Sequence, residues 1–174
     1  MAESNIPSTP IDGNYKAVLI PEPANLEAIT AAEANAGIEV SCYLTGDGLA
    51  ITVDEATITD ERLCSSSTFE KRGRKTHAVQ ATYIDNTNNP DYEEFNEARE
   101  ACDEGARHVL MTRRNLPFDT AFASGQVYRA YPIECGFPAE VPVEANSVTR
   151  TTQKWFVTGE PAIDKTIASS GGGA

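Results

Sequence analysis

Residues 38–59, Ile38-Glu39-Val40-Ser41-Cys42-Tyr43-Leu44-Thr45-Gly46-Asp47-Gly48-Leu49-Ala50-Ile51-Thr52-Val53-Asp54-Glu55-Ala56-Thr57-Ile58-Thr59, decide the fold. Within them Ile38 to Leu44, Leu49 to Val53 and Ala56 to Thr59 are β-branched or aromatic-rich runs bounded by glycine or acid, a strand composition. Gly46-Asp47-Gly48 separates the first two runs. Glycine reaches the positive φ of a tight turn, so a hairpin is expected there. Beyond Val53 the apolar parity slips, from odd positions at Ile51 and Val53 to even ones at Ala56 and Ile58. Strand side chains alternate between faces, so a bulge or bend at Asp54-Glu55 is expected, giving one bent long strand.

Outward from this stretch the same signal recurs at Tyr15 to Ile20, Thr76 to Ile84, Arg107 to Thr112, Gln126 to Ile133 and Ser147 to Val157. A chain of 174 residues is about one domain, and this many short strands predict a mainly β fold, a bent β-sandwich or partial barrel. Two helices interrupt it. Thr30-Ala31-Ala32-Glu33 is a capping box, and Gly37 ends that short helix. For the second, flanking helix, Asn89 is the cap and Pro90 the first helical residue; Asp91, Glu93 and Glu94 suit the positive end of the dipole, and Gly105 closes it. Tyr92, Phe95, Ala98 and Cys102 then share one face, which is expected to pack on a sheet. Residues 1–14 read as a flexible N-terminal arm, 15–165 as the single β domain, and 166–174, rich in Ser and Gly, as a flexible tail.

Acids outnumber bases 26 to 14, for a formal net charge of -12. Such a surface is unsuited to holding duplex nucleic acid across its whole extent, which needs many phosphate-neutralising cations. No run of about 18 apolar residues exists to span a membrane. Met1 to Asn14 has neither a basic n-region nor an apolar h-region, so synthesis and retention in the cytoplasm are expected. Cys42, Cys64, Cys102 and Cys135 lie far apart in sequence, which reads as small buried hydrophobes in a reducing compartment rather than a zinc or redox site.

Catalytic signatures are missing. His77 and His108 are accompanied by no Gly-x-Ser-x-Gly elbow, and the glycine near Arg72 is not followed by Gly-Lys-Ser/Thr. Asp85, Thr87 and Asn89 fail as a calcium loop, since Pro90 stands where glycine must and Asn96 where the bidentate Glu must. Glu93, Glu94 and Glu97 read as a solvated helix face rather than a glycosidase pair. No enzyme, cofactor or metal is expected. The one cationic cluster, Lys71-Arg72-Gly73-Arg74-Lys75, reads either as a solvated hairpin tip or as a contact with an anionic partner, here a protein surface such as another copy of the chain.

The order of these pieces is similar to one known family. The Thr30 to Gly37 helix, the Ile38 to Leu44 strand with its Thr-Gly-Asp-Gly turn, and Asp60-Glu61-Arg62-Leu63-Cys64 leading into a Phe69-containing loop come first. The Thr76 to Ile84 strand, one acidic helix, and the closing Lys154-Trp155-Phe156-Val157-Thr158-Gly159 follow. Over roughly residues 15 to 160 this resembles the major tail tube protein of long-tailed, siphovirus-type actinobacterial phages.

The resemblance implies a structural virion protein assembled in the bacterial host cytoplasm. Hexameric rings stack into a tail tube around a tape measure protein, between tail terminator and tail tip proteins, and DNA passes the lumen without specific binding. Neighbouring copies pair their sheets into a barrel of about two dozen strands, wide enough for a channel. Ser65 to Lys75 then reads as an arm to a neighbouring subunit or ring, with Phe69, Lys71, Arg72, Arg74 and Lys75 in contact with acidic neighbours such as the 91–104 helix. Thr149, Thr151 and Gln153 are the expected lumen-facing residues, in a bore whose acidic lining repels DNA; Arg150 and Lys154 share the opposite parity, and a bore lined by that face would weaken the idea. The other reading is a β-sandwich binding module, or a head decoration or tail-fibre domain.

Overall fold

The computed structural model describes residues 6–92 and 94–169. Its elements are β1 (Tyr15–Ile20), α1 (Ala31–Asn35), β2 (Ile38–Glu39), β3 (Leu44–Asp60), β4 (Phe69–Ile84), α2 (Glu97–Ala101), β5 (Arg107–Arg114), β6 (Val127–Cys135), β7 (Ala139–Glu140), β8 (Arg150–Val157) and β9 (Ala162–Thr166). They form one antiparallel sheet in the order β2-β1-β5-β6-β8-β4-β3, with β7 added on β8 and β9 on β6. The expected mainly β architecture, a bent β-sandwich or partial barrel, is what the chain adopts, and both of its helices are short.

Tyr15-Lys16-Ala17-Val18-Leu19-Ile20 shows why the sheet folds over itself: every residue after Tyr15 is buried, so β1 is covered on both faces. On one side Leu19, Leu110, Tyr131 and Ile133 meet Val79, Ala81, Tyr83 and Trp155 of the folded-over β4–β8 layer. On the other, Val18, Ile20, Met111, Tyr128 and Ala130 meet Ile29, Ala34, Phe122 and Ile167. Each fully buried aliphatic or aromatic side chain contributes roughly 1.5–3 kcal/mol, so these two cores hold the domain. The capping box forms as read: Thr30 Oγ1 accepts from the Glu33 amide at 3.3 Å, and Glu33 Oε2 accepts from the Thr30 amide at 2.9 Å.

Arg113 is 1% exposed and, among the described residues, has no carboxylate partner within ion-pair distance; its guanidinium donates to the carbonyls of Pro117, Thr120 and Ala121 and to Gln126 Oε1. Burial pushes its pKa down, and the carbonyl cage fixes the β5–β6 connection beneath it.

Several expectations change. Gly46-Asp47-Gly48 does not join two strands as a hairpin. From the Leu44–Tyr83 pair to the Leu49–Ala81 pair β3 advances five residues and β4 two, so Thr45 to Gly48 loop out of a single strand. A Cβ at Gly48 would collide with the Thr82 carbonyl oxygen, which is why glycine occupies it. The second irregularity also differs from the bulge expected at Asp54-Glu55. Between Glu55–Lys75 and Thr57–Arg72 β3 advances two residues and β4 three, so the extra residue is in β4. Gly73 sits there, where a Cβ would lie 2.7 Å from the Ala56 carbonyl oxygen.

The second helix is short. Asn89 Oδ1 accepts from the Asp91 amide in an Asx turn instead of capping a helix, and Asn86 ties the loop to Phe95 and Asn96, so helix begins only at Glu97. Ala98 and Cys102 are buried, whereas Tyr92 and Phe95 are half exposed, so half of the expected stripe packs; Gly105, at φ +83, closes the segment. Glu93, assigned to that helix, lies outside the described residues, as do residues 1–5 of the N-terminal arm and 170–174 of the tail. Ile167 belongs to the second core, and Ala168 bridges Thr30.

Candidate functional site

β3 and β4 outrun the rest of the sheet. β8 accompanies β4 from Ile84 only as far as Val79, so Thr52–Asp60 and Phe69–Ala78 pair with one another alone. Nine residues of strand make an arm of about 30 Å. Nearly every residue in it is exposed, so the arm has no core of its own.

What holds the arm is its ladder and a set of cross-strand ion pairs. Glu55 receives Arg72 and, at 3.7 Å, Lys75 on one face. Asp60 receives Lys71 at 2.7 Å, and Arg62 from the tip at 3.1 Å. These hydrogen bonds hold the Glu55 and Asp60 carboxyls below the usual carboxylate range. Ile58 and Phe69 are more than half exposed, and Leu63 at the tip is fully so. The structure thus places Phe69, Lys71, Arg72, Arg74 and Lys75 together on β4 of the arm, as strand rather than loop. The loop proper is residues 61–68. Lys71, Arg72 and Lys75 already pair with acids of their own hairpin; among the described residues Arg74 makes no ion pair.

The sheet is also unfinished at one side. Among the described residues β3 has β4 as its sole partner, which leaves its other edge open along its length. Among the described residues no element covers the face of β3, β4 and β8 that looks away from the core, which carries Ala50, Thr52, Gln80, Thr82, Thr152 and Lys154. Thr152 Oγ1 joins Gln80 Nε2 at 3.3 Å and Thr82 Oγ1 at 3.1 Å across the strands.

That arrangement corrects the lumen-facing assignment. Thr149 is exposed, but Thr151 and Gln153 are 4% and 2% exposed and point into the core. Gln153 Nε2 donates to the carbonyls of Cys102 at 2.7 Å and Gly136 at 2.6 Å, while its Oε1 accepts from Tyr83 Oη and Trp155 Nε1. Thr151 donates to Asp85 at 2.8 Å. A residue so enclosed cannot line water. The missed signal was parity: Gln153 is two residues from Trp155, whose bulk demands burial. Sequence reasoning also missed the arm's length, because Glu70, Lys71, Arg72 and Arg74 break every apolar alternation in it.

No group of three or more metal-ligating side chains converges among the described residues. His108 Nε2 contacts the Ala101 carbonyl oxygen at 2.7 Å, a structural bond. Among those residues no helix is long and apolar enough to cross a membrane. The family model described as Phage tail tube protein matches residues 3–170, nearly the whole chain. No curated protein matches it.

Proposed function

The chain belongs to the phage tail tube protein family, structural proteins of the virion tail that associate with copies of themselves, and from that premise we propose that it builds stacked hexameric rings forming a conduit for DNA ejection. The observation that carries this reading is the open edge of β3 beside a sheet face that none of the described elements covers. An exposed strand edge of this length is a template for another chain, and a monomeric protein would blunt it. A neighbour's sheet finishes it. Each copy then gives β3, β4, β8 and the β7 side to one wall, and repetition closes the wall into a barrel.

The uncovered face becomes the bore. Its hydroxyls and amides, with Asp54 set against Lys154 and Arg150, leave no excess of acid on it, so the acidic lining gives way to a polar, nearly neutral one. Such a wall offers a passing polyanion no lattice of cations to bind. The negative charge lies mostly elsewhere, with eight acids against one base between residues 85 and 104. The arm reaches the next ring, where Phe69 and the basic residues from Lys71 to Lys75 meet acidic surface; such rim contacts steer assembly, and repetition supplies the avidity. A tape measure protein inside, terminator and tip proteins at the ends, and assembly in the host cytoplasm complete the reading.

Electron microscopy of the concentrated purified protein tests it. Rings or tubes are expected. Dispersed globules or trimers across a range of salt would overturn it in favour of a decoration or fibre module.

A further inference from the structure

Cys102 and Cys135 are 33 positions apart in sequence and come from different elements, one just after α2 and one at the end of β6, yet both are buried in the same core, 0% and 1% exposed. Their backbones are drawn together by one side chain, since Gln153 Nε2 bonds both the Cys102 carbonyl and that of Gly136, the neighbour of Cys135. The amide and carbonyl of Cys135 are in turn bonded to Ala106 and Gly105, which closes the chain back toward Cys102 at 2.8 Å on each side. Both thiols are reduced and lie within the same buried cluster. Cys42 and Cys64 are exposed.

We propose that Cys102 and Cys135 are a covalent cross-link site, closed to a disulfide when the virion tail leaves the reducing host for an oxidising medium. The oxidant is a small-molecule disulfide. The Cys135 thiolate attacks one of its sulfurs and expels the first small thiolate; the Cys102 thiolate then attacks the Cys135 sulfur and expels the second. Two thiol protons leave, two small thiols are released, and one intramolecular S–S bond remains. The two environments favour this order: the neighbouring Cys102 side chain holds the Cys135 thiol below its usual range, whereas Cys102 is pushed up by Cys135 and by burial. Access comes from α2 itself, five residues long, with no side-chain cap at Asn96 and preceded by a turn-rich, exposed segment, so it opens at small cost. The bond then fixes that weak helix to the sheet.

The test uses the full chain carrying Cys42→Ser and Cys64→Ser, which leaves the buried pair alone. Native protein incubated with oxidised glutathione should lose two hydrogens by intact mass, yield a linked peptide containing both residues, and melt several degrees higher, all reversed by dithiothreitol. Adding Cys102→Ser should leave a glutathione adduct that never resolves. If both thiols remain alkylatable after oxidation and unfolding, or if the adduct persists with the pair intact, the proposal is overturned. Neither result depends on whether the protein forms rings.

Discussion

The sheet around β1, β5 and β6 and the arm of β3 and β4 are built from the same kind of strand and put to opposite uses. The first is covered on both faces, with Leu19, Leu110 and Tyr131 on one side and Val18, Met111 and Tyr128 on the other. The second is covered on neither, and its order rests on backbone pairing and ion pairs at Glu55 and Asp60. Burial fixes where the fold's free energy lies. Exposure leaves the arm without a core of its own.

If that division is right, stability and assembly should respond to different substitutions. The largest loss should come from Trp155→Ala in the inner core, about 3–5 kcal/mol by chemical denaturation, with assembly lost only because the fold is. Arg113→Met should cost about 2–3 kcal/mol, since it strands carbonyls that the guanidinium now satisfies; a loss under 0.5 kcal/mol would mean that water replaces it freely. Gly48→Ala should cost about 2 kcal/mol through its collision with the Thr82 carbonyl, read as a lower melting temperature with normal m-value.

The paired reversal Arg72→Glu and Arg74→Glu, which also breaks the Arg72–Glu55 pair within the arm, should lower the melting temperature of the unassembled chain only slightly, since the arm carries none of the core, while lowering tube yield at low salt. Unchanged yield would remove the arm's basic residues from assembly. Acid should act in the same direction. The Glu55 and Asp60 carboxyls are depressed in the folded chain, so their contribution is present above the unfolded value and lost as pH falls through the folded one. Below the ordinary carboxylate range, about pH 4, the arm's ion pairs should disappear. Light scattering should report disassembly before near-ultraviolet circular dichroism reports loss of the core.

The same contrast explains what could be read beforehand. Tyr15 to Ile20, Arg107 to Thr112 and the Thr30–Glu33 cap were legible because burial and capping leave local marks: unbroken apolar runs and a Thr-x-x-Glu spacing. The arm was not, because a strand with no core needs no alternation, and its long pairing is a tertiary fact. The Asn89 turn misled for a related reason: Asn, Pro and acid open helices and Asx turns equally well, and Asn86 with Asn96 decided between them from outside the segment. β9 escaped notice because Asp164 takes a positive φ and the strand is five residues of mixed polarity. At the site the basic cluster was visible from its composition alone, whereas the buried face of β8 required the position of Trp155 in three dimensions.

The loop-out at Thr45–Gly48 and the extra residue at Gly73 leave β3 unbroken between them, tied along one flank only. Its amides therefore divide by parity into those that serve β4 and those that face outward. Proline at an outward position removes a donor that the lone subunit does not use, so a proline scan along β3 is a ruler: whichever substitutions abolish polymer but spare the monomer would mark, residue by residue, how far the neighbouring subunit's strand extends.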